Sequence, residues 1–303
     1  MKSVGERELA WLERFGKSRQ PREPLYRAFY GHKEVDPEVQ KQSLRDYLRV
    51  VPLVVPGPAE FNQPTIRHPD LSPSNIFISE TGEITGLIDW QHTSILPLFL
   101  QAKIPKHFQN WGDDESDNLR RPRLPENFDD LTPSEKEEEV EKFRRRQIHY
   151  FYVGYTKRNN DAHFQAIGQA HLVMTNKLFD TAGRPWEGDN TSLKAEIIKV
   201  SEHWPDVASP QAKSCPFPIQ YTNEEITQCL AIDEKQQEAD VQMQTLRNCF
   251  TTDIDGWVPS DLYNQARARA EDVREQMLEA ADTEEERKEI EENWPFQDHM
   301  EID

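Results

Sequence analysis

The chain has 303 residues, 36 Lys and Arg against 55 Asp and Glu, and a formal net charge of −19, so it has no excess of cations to neutralise nucleic acid or an anionic membrane surface. Its 36% hydrophobic content supports one or two domains with a sizeable core, and no apolar run approaches the roughly eighteen residues of a membrane-spanning helix. Cys215, Cys229 and Cys249 form no CxxC pair and have no close His, which favours reduced thiols over a disulfide or zinc framework. The opening residues MKSVGERELAW contain Glu6 and Glu8 and no apolar core, unlike a secretory signal or an acid-poor transit peptide.

In chain order, Val4 to Phe15 reads as an amphipathic helix, capped by Ser3, with Leu9, Leu12 and Phe15 on one face and Gly16 at its end. A second helix starts with Asp36 as N-cap and Pro37 in the first turn, and places Leu44, Tyr47, Leu48 and Val51 at helical spacing before Pro52 and Pro56 stop it. The stretch from Thr65 to Asp89 is the densest in polar chemistry. His68-Pro69-Asp70 makes a bend, and Pro73 keeps the next residues out of a helix. Ile76–Ile78 and Ile84–Ile88 are the arms of a hairpin whose turn is Glu80-Thr81-Gly82-Glu83. A hairpin brings its ends together, so Asn75 and Asp89 become neighbours, with Asp70 beside them.

Beyond the hairpin, Ser94 to Leu100 is apolar and predicted to be buried. His92 is a core imidazole or a substrate contact. Lys106 to Pro125 is a polar irregular loop. Thr132-Pro133-Ser134-Glu135 is a capping box that opens a helix through Tyr155. Ala162 to Phe179, Ser192 to Trp204 and Asn223 to Cys249 read as further helices. Gly256 breaks the chain, Ser260 caps a helix over Asp261–Ala280, and Glu284–Glu292 forms another. From Thr283 to Asp303 nine acidic residues stand against two basic ones, the pattern of a solvated helix and tail.

His68-x-Asp70-x-x-x-x-Asn75, a hairpin, and then Ile88-Asp89-Trp90 resemble the catalytic segment of the aminoglycoside phosphotransferase and choline kinase branch of the kinase-like superfamily. The string HPDLSPSNIFIS…ITGLIDWQHTSILPLFLQA is closer still to fungal proteins of the altered-inheritance-of-mitochondria type. The resemblance implies ATP and Mg²⁺ as cofactors and an unknown small molecule as hydroxyl acceptor. It makes Asp70 the proton acceptor and Asn75 and Asp89 the metal ligands, with His68 and Trp90 structural at the site. Trp90, where protein kinases have Phe-Gly, favours the small-molecule branch. Pro69 and Ser72 depart from the Gly and His of many relatives.

The implied fold is α+β and predominantly α: a protein-kinase-like C-terminal lobe over residues 1–215, with a catalytic-loop β-hairpin, and a helical extension over 216–303 ending in the acidic tail. The residues before His68 contain Gly5, Gly16, Gly31 and Gly57, never clustered, and no alternating strands, so the N-lobe with its phosphate-covering loop is predicted to be missing. Two functions stay open: a phosphotransferase impaired by that truncation, and a non-catalytic kinase-like fragment acting as a binding protein. The resemblance implies a mitochondrial location; a chain beginning at Met1 with no transit peptide implies a cytoplasmic one. Without an N-lobe, Phe77, Ile88, Trp90, Ile95 and Leu96 lose cover, which is expected to drive self-association unless Trp11 and Phe15 plug the face.

Overall fold

The computed structural model describes residues 1–250 and 258–296. In chain order its helices and strands are α1 (Lys2–Phe15), α2 (Pro24–Arg27), α3 (Glu38–Val50), β1 (Pro64–Ile66), β2 (Ile76–Ile78), β3 (Ile84–Leu87), β4 (Ile95–Pro97) and α4 (Leu98–Gln101). There follow α5 (Asp114–Asp117), α6 (Pro133–Asn159), α7 (Asp161–Ile167), α8 (Ala170–Ala182), α9 (Ser192–Glu202), α10 (Trp204–Val207), α11 (Asn223–Phe250), α12 (Tyr263–Ala280) and α13 (Glu284–Asn293). The protein is therefore α+β and mostly helical. Residues 1–62 hold helical segments and one isolated bridge, Arg19 to Val35, but no strand. Among the described residues no helix is long and apolar enough to cross a membrane.

Contacts group the chain into two interleaved units: Met1–Pro52, Leu178–Glu202 and the residues from Phe217 onward form unit 1, and Leu53–Lys177 with His203–Pro216 form unit 2.

In unit 1, α1 packs on α3, which packs on α9, which packs on α11. Leu12, Leu44, Tyr47 and Val50 are buried in the α1–α3 seam, and Tyr47 Oη donates to the Met1 carbonyl at 3.0 Å. The helices approach closely because Gly5 has no side chain: a Cβ there would stand 2.7 Å from Tyr47 Cδ1. Gly5→Ala is accordingly expected to destabilise the chain by roughly 1–3 kcal/mol. The overpacking of a buried ring outweighs the roughly 1 kcal/mol that Ala gains in helix propensity. Chemical denaturation of the two proteins checks this; an unchanged or raised midpoint would show that the seam gives way. Ala195, Ile198 and Cys229 form a second cluster, with Tyr221, Ile226 and Leu230 around it.

In unit 2, β1 pairs antiparallel with β4, matching Pro64 to Pro97 and Ile66 to Ile95, and β2 pairs antiparallel with β3. Leu98, Phe99 and Leu100 of α4 are buried, and Asn176 Nδ2 donates to the Phe99 carbonyl at 2.9 Å. The capping box at the start of α6 is formed: Glu135 accepts from the Thr132 backbone N–H at 2.9 Å while its own N–H donates to Thr132 Oγ1 at 3.4 Å.

Several sequence expectations need correcting. Ser3 lies inside α1, whose N-cap is Met1, and α12 starts at Tyr263 rather than from a Ser260 cap. The helix expected over 162–179 is two helices, α7 and α8. Gly168, a poor helix residue, ends the first with its N–H on the Phe164 carbonyl. Only part of Ser94–Leu100 is buried, because Ile95 is in the exposed strand β4. His92 is exposed with φ of 62°, so it is no core imidazole. Gly256 and the end of the acidic tail lie outside the described residues.

Candidate functional site

The hairpin closes where its sequence has Gly. The Gly82 N–H donates to the Ser79 carbonyl at 2.9 Å, and the Ser79 N–H donates to the Glu83 carbonyl at 2.8 Å. Gly82 has φ of 81°, a left-handed conformation that β-branched or bulky residues rarely take. A register shift between Phe77 and Ile78 completes the fit, with Ile76 opposite Leu87 and Ile78 opposite Ile84. Past the last pair, the Ile88 N–H donates to the Asn75 carbonyl at 3.1 Å, which sets Asp89 beside the start of the hairpin.

Asn75 is buried, and its Nδ2 donates to the Asp70 carbonyl at 2.9 Å. One residue thus ties the Asp70 loop to the Asp89 strand end. His68 makes a second tie. Its Nε2 donates to the Ile88 carbonyl at 2.7 Å, and its Nδ1 accepts the Asp70 backbone N–H at 3.2 Å. The two bonds together fix the neutral Nε2–H tautomer, since Nδ1 must then be an acceptor. The His68 ring meets Trp90 edge-on, with centroids 4.7 Å apart, and Trp90 Nε1 donates to the Leu87 carbonyl at 3.1 Å. His68 and Trp90 therefore brace loop against strand.

Asp89 has φ of 63° and ends the extended run of β3 in the left-handed region, which Asp and Asn tolerate better than other side chains. Asp70 and Asp89 are both exposed, and neither carboxylate has a hydrogen-bond or ion-pair partner among the described residues. The structure gathers the segments that carry Asp70, Asn75 and Asp89, but the side chains are not bonded to one another. No group of three or more His, Cys, Asp and Glu stands together as a cation cage among the described residues. The oxygen set here is a carboxamide and a carboxylate, which suits a hard ion that keeps water and phosphate oxygens in its remaining positions.

Sequence reasoning missed Arg67. Its Nη2 donates to Tyr152 Oη at 2.8 Å, and its Nη1 lies against the His163 ring, 2.8 Å from Nδ1. The strand end before His68 is thereby anchored to α6 and α7. His163 is 2% exposed. Burial, followed by the Arg67 charge, pulls its pKa down to about 4. Arg67 at the end of an apolar strand, next to the motif, was the only signal in the sequence; its partners were not readable.

Around the site, Phe77, Ile78, Ile84, Ile88, Trp90 and Ile95 are 43% to 68% exposed. Trp11 and Phe15, in unit 1, are themselves about half exposed.

The chain is 29% identical over 298 residues to subtelomeric hrmA-associated cluster proteins of two Aspergillus fumigatus strains, a match covering 98% of this chain and 57% of theirs. It is 22% identical over 215 residues to altered inheritance of mitochondria protein 9, mitochondrial, of Vanderwaltozyma polyspora, covering 69% of this chain and 31% of that protein. The Saccharomyces cerevisiae protein of the same name is 21% identical over 227 residues, 73% of this chain and 34% of that protein. The chain thus spans about half the length of the Aspergillus relatives and a third of the yeast ones. No family model and no solved structure matches it. The motif string pointed to the yeast name, and that name states no reaction.

Proposed function

We propose that unit 2 is the metal-binding and acceptor-activating part of a phosphotransferase that uses ATP and Mg²⁺ to phosphorylate a hydroxyl of a small molecule. The observation that carries this reading is the double bonding of Asn75. Its side chain holds the Asp70 loop at 2.9 Å, and its carbonyl holds the residue before Asp89 at 3.1 Å. Phosphoryl transfer needs one placed base and hard oxygen ligands more than covalent chemistry, and this is the set those bonds collect. Asn75 Oδ1 and the Asp89 carboxylate are the groups that would hold Mg²⁺, which when bound neutralises charge on the phosphates. The Asp70 carboxylate, which has no partner among the described residues, accepts the proton of the attacking hydroxyl. His68 and Trp90 hold the loop and strand end in place while this happens.

Similarity to the yeast proteins supports a mitochondrial location. The division into a kinase-like lobe over 1–215 and a helical extension over 216–303 is part of the same proposal. Calorimetric titration of ATP with and without Mg²⁺ tests it. Binding is expected to require Mg²⁺ and to weaken by at least roughly tenfold in Asp89→Asn, the effect of losing a charged ligand. Equal binding by the variant, or binding indifferent to Mg²⁺, would rule out the assignment.

The exposed apolar side chains around Asp89 favour a second reading, a non-catalytic binding role, since a phosphoryl-transfer site excludes water. Self-association through that face is the cover we propose, because an apolar patch of this kind on a free chain marks an interaction surface. Sedimentation at several concentrations is expected to show oligomers that Phe77→Ser with Ile84→Ser converts to monomer. A wild-type chain that is monomeric throughout would refute it.

A further inference from the structure

Between α5 and α6 the chain reads Leu119-Arg120-Arg121-Pro122-Arg123-Leu124-Pro125, three cations and no carboxylate in a protein whose net charge is −19. Both ends of this segment are fixed. The Arg120 N–H donates to the Glu115 carbonyl at 2.8 Å as the chain leaves α5, with Leu119 turned into the left-handed region at φ of 49°. At the far end the Pro125 carbonyl accepts the Phe128 N–H at 3.1 Å. Between these anchors no hydrogen bond engages the backbone of residues 121–124 among the described residues. Arg121, Arg123 and Leu124 are exposed, and neither of these arginines has a hydrogen bond or ion pair among the described residues. Arg120 meets Asp114 at 3.0 Å in an exposed pair, the kind that holds a side chain weakly.

The two prolines decide the backbone. Each fixes its own φ near −65° and drives the residue before it out of the helical region, so Arg121 to Pro125 is biased toward polyproline II. That helix forms no internal hydrogen bonds, which agrees with the unengaged backbone here. At its three residues per turn, Pro122 and Pro125 share one edge and Arg120 and Arg123 share another. A P-x-x-P edge is the shape that an aromatic-lined groove takes up, and its stiffness lowers the entropy lost on docking. The prolines are single and three apart, with cations around them, which suits an SH3 groove with carboxylates at its rim. We propose that Arg120–Pro125 is a docking segment for an SH3-type domain, with Pro122 and Pro125 in the groove and Arg120 and Arg123 on its acidic rim. The segment lies in unit 2 and the inference does not rest on the phosphotransferase reading.

The full chain applied to arrayed SH3 domains of Saccharomyces cerevisiae, with WW domains beside them, tests this. At least one SH3 domain is expected to bind with a Kd of roughly 1–100 μM. Calorimetry on that pair is expected to show roughly tenfold weaker binding for Pro122→Ala with Pro125→Ala, and for Arg123→Glu. Neither variant is expected to move the melting temperature by more than about 2 °C, since the altered side chains are on the surface and Ala keeps the Pro125 carbonyl bond. Wild-type affinity in both variants would overturn the proposal. So would an array in which no SH3 domain binds, or in which only WW domains do.

Discussion

Replacing Asp70 by Asn is expected to slow phosphoryl transfer by about 10² to 10⁴-fold, the usual contribution of a positioned general base, while leaving ATP affinity nearly unchanged. The reason lies in how Asp70 is held. Its fixed contacts are through the backbone, an N–H donated to His68 Nδ1 at 3.2 Å and a carbonyl accepting from Asn75 Nδ2 at 2.9 Å, and its carboxylate carries no bond among the described residues. Asn keeps both backbone bonds and nearly the same shape, so the loop survives and only the proton acceptor is lost. Steady-state kinetics with a responsive acceptor separate the outcomes. A fall in kcat with KM for ATP retained supports the role, whereas a kcat within a few-fold of wild type removes Asp70 from the chemistry. Asp89→Asn differs, because its loss is expected in nucleotide binding itself.

Acid is expected to weaken unit 2 through one histidine. His163 has an ordinary pKa of 6.5 and is held at about 4 in the fold. Between those values the unfolded chain carries a proton on this ring that the folded chain refuses, so stability falls as pH drops from 6.5 toward 4 and is fully present above 6.5. The interval corresponds to about 3 kcal/mol. The cause is physical proximity: an imidazolium would be buried and would face the Arg67 guanidinium 2.8 Å away. Gln at position 163 cannot titrate and can still accept from Arg67. Urea unfolding of wild type and His163→Gln at pH 7, 6, 5 and 4 is therefore expected to give curves that diverge with falling pH, the wild type losing more. His149 and His171 are also lowered by burial and act in both proteins alike, so the difference isolates His163. Parallel curves would show that the ring protonates freely in the fold.

The contrast between these two residues shows what the sequence could and could not convey. Asp70, Asn75 and Asp89 are within twenty residues of one another, joined by a hairpin whose alternation and Gly82 turn are written locally, so the approach of their backbone segments was readable before any coordinates. The Thr132–Glu135 capping box was readable for the same reason. Arg67 and His163 are ninety-six residues apart, and no periodicity or spacing links them. The β1–β4 pairing likewise depends on a distant partner, so the strand that carries Ile95 within the apolar run 94–100 was not readable. Gly168 was a local signal that the helical pattern around it overrode. Gly5 reads as a weak spot in a helix until Tyr47 is seen against it. Exposure of Phe77, Ile88, Trp90 and Ile95 was legible too, because no strands in residues 1–62 precede the motif to cover them.

The interleaving of the two units has a consequence for synthesis. Most of unit 2, residues 53–177, leaves the ribosome as one continuous stretch and can begin to fold while translation continues. Unit 1 cannot, since α1 and α3 await α9, and α9 awaits α11, which starts at Asn223. Its first fifty-two residues can pair α1 with α3 but must wait for α9 while about 125 residues of the other unit are made. Long closures of this kind slow folding and prolong the exposure of apolar surface. The α1–α3 pair can close on its own, so the surface left waiting is the side of α3 that meets α9 and the side of α9 that meets α11.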